Sequence, residues 1–259
     1  ADVTFADGAD IVTASAGNNN TRIGVNAGFS IQSGGNGNTC LGEEAGRSLT
    51  TGDNNIAVGY EALYSENAHG QNIAIGYRSL KALDAGAEGN NVAIGYLAGQ
   101  AVTTGIDNVI IGGQAGDALT DADYNVAIGK VALSSDTKGS KSVAIGNGAL
   151  FTQNFTSSTD SHNTAVGFDA GGAVTTGIEN TLIGSKVGDA LTDADFNVAM
   201  GYQALTTDTQ GSKSVAIGYE TLKAQNFSSA TDSRNTAVGY QAGLSVTTAT
   251  SNVIIGSLS

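Results

Sequence analysis

Asn91-Val92-Ala93-Ile94-Gly95 is one of fourteen copies of a five-residue pattern, Asn-aliphatic-small-aliphatic-Gly, spread along this 259-residue chain. The copies end on glycines 24, 42, 59, 76, 95, 112, 129, 146, 167, 184, 201, 218, 239 and 256, mostly 17 residues apart, with two intervals of 21. Self-similarity at a short fixed period is the signature of a solenoid, whose turns bury apolar surface only by stacking on their neighbours. A second period lies above the first. Residues 91–162 match 163–234 at a shift of 72, so that Val102-Thr103-Thr104-Gly105 returns as Val174-Thr175-Thr176-Gly177. Four rungs of 17, 17, 17 and 21 residues make one superunit. The fourth residue after each motif glycine keeps the same beat, Gly99, Gly116, Leu133, Leu150 and then Gly171, Gly188, Leu205, Leu222. The chain therefore divides into an N-terminal cap or junction at 1–19 and an all-β parallel solenoid at 20–259. The solenoid's superrepeats run over 20–90, 91–162, 163–234 and 235–259.

Composition agrees with stacked strands. There are 37 glycines and no proline, and a proline inside a stack would delete a ladder hydrogen bond. A formal charge of −13 disfavours nucleic acid and anionic lipid, which repel an acidic surface. No apolar run approaches the ~18 residues that span a bilayer, so no membrane insertion is expected. The lone Cys40 excludes an intrachain disulfide and falls in a small-residue slot, which reads as a buried thiol. Starting at Ala1 without methionine, the chain reads as a processed product or a fragment.

The two aliphatic residues of each motif lie two apart and so share one face of a strand, while the residue between them faces the other way. That middle residue is usually Ala, with Cys40, Ile110, Leu182 and Ile254 as larger exceptions. Binary patterning would put polar residues on a face open to water. A small apolar residue there implies close cover, and a second copy of the chain is the economical cover. The closing glycine predicts a corner with positive φ or close backbone approach. Three residues later comes a second small position (Ala27, Ala45, Ala62), which predicts a return strand. The opening residue is Asn in twelve copies, with Ser142 and Ser214 in the others. Asn55, Asn72, Asn91, Asn108, Asn125, Asn163, Asn180, Asn197, Asn235 and Asn252 are expected to form a hydrogen-bonded ladder, the alternative being a row of amides that binds sugar. Fourteen rungs at ~4.8 Å give a rod of roughly 65 Å.

Asn91-Val-Ala-Ile-Gly95, Ser142-Val-Ala-Ile-Gly146, Ser214-Val-Ala-Ile-Gly218 and Asn235-Thr-Ala-Val-Gly-Tyr-Gln-Ala-Gly243 resemble the head repeats of YadA-like trimeric adhesins. With 17-residue spacing and Thr-Thr-Gly turns, they are more closely similar to repeat regions of phage tail-fibre proteins; the usual adhesin period is shorter. The resemblance covers residues 20–259. It implies a left-handed β-roll and a parallel homotrimer that is a structural part of a virion, facing outward and joined at one end to other virion proteins. It also implies possible contact with a host-surface glycan or protein. The alternative it leaves is the head of an adhesin on a bacterial surface.

The residues suited to chemistry are few, and an enzyme is not expected. His69 and His162 are isolated, and no metal-ligand spacing joins them. Asp117, Asp121 and Asp123, with their copies Asp189, Asp193 and Asp195, are weak calcium candidates. Ca²⁺ takes several oxygen ligands, yet Asp-x-Asp before a strand also reads as a turn whose carboxylates bond nearby backbone. A threonine column (Thr50, Thr103, Thr120, Thr137, Thr175, Thr192, Thr209, Thr247) lacks the second column that an ice-binding lattice needs. Tyr60, Tyr77, Tyr96, Phe168, Tyr202, Tyr219 and Tyr240 follow their glycines directly and suit either packing or sugar stacking. The four extra residues of the 21-residue rungs predict outward loops, and loops on a rigid scaffold are where recognition sits. Phe151, Gln153, Asn154, Phe155 and His162, with Gln225, Asn226, Phe227 and Arg234, are the possible receptor-facing residues.

Overall fold

The computed structural model describes residues 16–258, and among them it contains no helix. Most of the expected N-terminal cap, residues 1–15, lies outside the described residues. Fourteen three-residue strands, from Thr21–Ile23 to Val253–Ile255, contribute one per rung to a single parallel sheet in chain order. Register matches each residue to its counterpart one rung on: Val92 to Val109, Ala93 to Ile110, Ile94 to Ile111. The same ladder continues where the backbone turns. Gly99 N–H donates to Ala115 O (3.0 Å), Ala101 to Asp117 (3.2 Å) and Thr103 to Thr120 (2.9 Å). The return strand predicted after the glycine is therefore a stacked turn. The 21-residue rungs add short pairs, Gly139–Ser140 with Thr159–Asp160 and Gly211–Ser212 with Thr231–Asp232.

The middle residue of each strand points inward. Ala57, Ala93, Ala127, Ala144 and Ala165 are fully buried within the solenoid itself. This corrects the expectation that a second chain covers the alanine face. The alanines are small because the interior is narrow, and each rung supplies one larger side chain from the opposite wall. Where the fourth residue after the glycine is Gly116, Leu119 fills the space, its Cδ1 lying 2.8 Å from where a Cβ on Gly116 would sit. Where that residue is leucine (Leu63, Leu133, Leu150, Leu205, Leu222), the seventh position is polar (Glu66, Asp136, Gln153, Asp208, Gln225), except at Leu80, which is followed by Leu83. Outside that one rung, the four-beat pattern keeps core volume even from rung to rung, as close packing demands.

The outward side of the sheet is apolar. Its first and third strand residues, two for each of fourteen strands, are aliphatic or methionine except for Thr21, Thr39, Thr164, Thr181 and Thr236, and none is charged. Most are half-buried by their neighbours, and Ile94 keeps 36% of its surface exposed.

Turning this tightly requires left-handed backbone at three further places in every rung besides the motif glycine. Thirty-two non-glycine residues have φ between 46° and 63°, among them the β-branched Val131 (52°). Each costs about 1–2 kcal/mol in isolation, which the ladders above and below must offset. The motif glycines are constrained twice. Gly129 has φ +132°, and a Cβ there would lie 2.5 Å from the carbonyl oxygen of Gly146 on the next rung.

Candidate functional sites on the solenoid

The asparagine column is interior. Asn72 N–H donates to Asn55 Oδ1 (3.0 Å), Asn108 N–H to Asn91 Oδ1 (3.0 Å) and Asn180 N–H to Asn163 Oδ1 (2.9 Å). Most Nδ2 atoms then reach a carbonyl on the following rung, as Asn108 does to Ala122 O (2.8 Å) and Asn197 to Gly211 O (2.9 Å), whereas Asn72 donates to Gly70 O (3.1 Å). The same geometry serves Asn125, whose Nδ2 meets Gly139 O, and Asn252, whose N–H meets Asn235 Oδ1. These side chains are buried except for Asn252, which is half-buried, so the column offers no amide surface to a sugar.

Serine interrupts the column where glutamine can replace the missing amide. Gln153 Nε2 donates to Asp136 Oδ2 (2.6 Å) and Ser142 Oγ (2.9 Å), and its Oε1 accepts from Asn163 Nδ2 (2.9 Å). Gln225 repeats this with Asp208, Ser214 and Asn235. Gln153, Phe155, Gln225 and Phe227 are thus buried, which corrects their reading as receptor-facing. The rings of Phe155 and Phe227 cover Gly139 and Gly211, and the glutamines complete the ladder. Phe151, Asn154, His162, Asn226 and Arg234 do lie at the surface. Arg234 Nη2 pairs with Asp232 (2.8 Å), which also accepts from Lys213 (2.7 Å). The exposed tip of the long rung is Thr156, Ser157 and Ser158.

The six aspartates do not converge. Asp121 accepts from Thr104 Oγ1 (2.8 Å) and Asp123 from the N–H of Ile106 (2.9 Å). Asp193 and Asp195 do the same with Thr176 (2.7 Å) and Ile178 (2.8 Å). Asp189 accepts from Thr206, and burial raises the carboxyl pKa of both Asp117 and Asp189. Asp117 bonds Gln114 in its own rung, and the other five carboxylates are each engaged by a neighbouring rung, a use that corrects the calcium reading. The threonine column is also engaged between rungs, as Thr120 Oγ1 shows by donating to Thr137 O (2.9 Å).

Two features stand outside these ladders. Tyr60, Tyr77 and Tyr96 stack with centroids 5.4 Å apart at both steps, and Tyr202, Tyr219 and Tyr240 stack at 5.5 and 5.1 Å. All six rings keep 36–57% of their surface exposed. The second feature is a cluster that sequence reasoning missed. The ligand atoms of Glu66, His69 and Asp84 lie within 4.8 Å of one another, the only such group of three among the described residues. Glu66 is buried and accepts backbone N–H bonds from Asn67 (3.0 Å), His69 (3.1 Å) and Ala85 (3.2 Å). Burial raises its pKa against the opposing pull of those bonds. His69 Nδ1 sits 3.5 Å from Glu66 Oε1, and it is buried with no hydrogen-bond partner. A signal for this cluster existed in the superunit alignment, where Glu66, His69 and Asp84 stand opposite Asp136, Gly139 and Asn154.

Comparison with protein-family models, with curated proteins and with solved structures finds no match to this chain.

Proposed function

We propose that this chain forms the shaft of a virion fibre or appendage. In this reading three parallel copies pack through their outward aliphatic faces into a rigid, non-enzymatic rod that projects a host-contact element. The observation that carries it is the uncharged outer sheet face, which runs through all fourteen rungs. Two columns of side chains along a rod of ~65 Å present on the order of 600 Å² of contiguous apolar surface, at the upper end of what a soluble monomer exposes. The acidic residues lie off this face, where they keep assembled rods apart in solution. The left-handed turn and the three-fold number rest on the resemblance to tail-fibre and YadA-like repeats. Repeat number sets the rod's length, and continuous ladders supply its stiffness.

Size-exclusion chromatography with light scattering, followed by negative-stain microscopy, tests the reading directly. A trimeric rod is expected, and a stable soluble monomer would sink the proposal. A second reading, the head of a bacterial adhesin, draws on the two exposed tyrosine stacks, since such rings can stack on sugars. Binding on a glycan array that is lost in Tyr77→Ala and Tyr219→Ala would favour it.

A further inference from the structure

We infer that Glu66, His69 and Asp84 form a binding site for one divalent transition-metal ion of the zinc type, held by one imidazole nitrogen and two carboxylates. Mixed nitrogen and oxygen donors of this kind suit zinc and its neighbours, whereas calcium and magnesium take oxygen ligands.

The geometry favours an ion over a direct hydrogen bond. A charge-assisted bond between His69 and Glu66 would bring the atoms to about 2.7–2.9 Å. They stand at 3.5 Å, and two ligands on one tetrahedral zinc, each at ~2.0–2.1 Å, lie ~3.4 Å apart. Glu66 is fixed by its three backbone N–H bonds, so this ligand is already in place before an ion arrives. The Nδ1 atom of His69 is shielded from water and lacks any other partner. Asp84 is exposed and free to close the remaining distance, and its Oδ1 accepts from Asn67 Nδ2 (3.2 Å). Such bonds from outside the ligand set orient a metal-binding carboxylate.

The chain carries its own controls. At the two equivalent places the backbone makes the same turn, with Gly139 N–H on Asp136 and Gly211 N–H on Asp208 (3.0 Å each). There the ring of Phe155 or Phe227 occupies the space against the glycine. In the first superunit Ala85 stands where Phe155 stands in the second, and the histidine takes the vacated room. Two of three copies thus carry glycine with phenylalanine, and one carries histidine with alanine. Packing alone would be served by either arrangement, but only the second brings together three metal ligands.

The test uses the tag-free full chain, titrated with ZnCl₂ by calorimetry and followed by thermal unfolding, with CaCl₂ and MgCl₂ in parallel. One zinc per chain is expected, with a raised Tm and no competition from a hundredfold excess of calcium. Asp84→Asn installs the residue found in both sister copies and so should keep the fold while weakening zinc at least on the order of tenfold. His69→Ala should weaken it at least on the order of a hundredfold, and His162→Ala should change nothing. Absence of saturable zinc binding, or equal binding by wild type and His69→Ala with unchanged circular dichroism, would overturn the inference.

Discussion

Replacing Gly129 by alanine is the sharpest probe of why the rungs close as they do. Its φ of +132° belongs to a region that side-chain-bearing residues avoid, a strain of about 1–3 kcal/mol. The new Cβ would also meet Gly146 O at 2.5 Å, Gly146 C at 2.6 Å and Asn147 N at 3.1 Å. These are backbone atoms of the next rung. They cannot rotate aside, and Gly146 O already accepts from Ala149 N–H (3.3 Å). Relieving the overlap adds the ~1–3 kcal/mol typical of an overpacked site. The sum is about 2–6 kcal/mol, in line with the most damaging single substitutions. Gly113→Ala is the matched control, because no atom lies within 4 Å of its added Cβ and its φ is not left-handed. That change should be neutral or stabilise by up to ~1 kcal/mol. Stability in a stacked array is a sum over neighbours, so the damage should be local. Hydrogen exchange read by mass spectrometry should show lost protection around residues 112–149, with distant rungs unaffected. A Gly129→Ala chain within ~1 kcal/mol of wild type, or an equally damaging Gly113→Ala, would refute the stacked-glycine reasoning.

Further outcomes follow from the same geometry. Ile94→Lys with Ile128→Lys places two charges on the outward face and, on the proposed trimeric reading, should yield folded monomers by light scattering, whereas Ala93→Glu buries a charge in the solenoid and should unfold the rungs around it, lowering β-type circular dichroism. Gln153→Leu leaves Asp136, Ser142 and Asn163 short of partners and should cost about 2–4 kcal/mol in urea unfolding. Desolvation raises the Cys40 thiol from the ordinary 9.0 to about 11, partly opposed by Arg22. Its folded pKa exceeds its unfolded one, so the associated stability is full below pH 9 and is lost as pH rises through 11. That loss is about 3 kcal/mol, and it should vanish from the pH profile of Cys40→Ala. The native thiol should also stay unreactive to aromatic disulfide reagents at pH 8.

The repeat, its period and the parallel stacking were legible in the sequence because fourteen copies of one motif leave little else to explain. The facing of the strand was not. Both faces are apolar, small residues on one and β-branched on the other, and only the width of the interior decides that Ala93 goes in while Val92 and Ile94 go out. The beat of Gly116 and Leu133 was visible, but its pairing with Leu119 and Asp136 needed the residue three places on. Rung length suggested that 151–160 is a loop, yet Gln153 and Phe155 turn inward to complete a ladder broken at Ser142. The Glu66, His69 and Asp84 cluster stayed hidden because its third member lies one rung away.

The backbone hydrogen bonds of this solenoid point along the rod, from each rung to the next, and that orientation has a mechanical consequence. A pull on the ends loads those bonds directly, so the solenoid should yield one rung at a time. A 17-residue rung that opens gives up ~4.8 Å of rod and releases ~55–60 Å of extended chain. Each opened rung would thus lengthen roughly twelvefold under tension before the chain is taut.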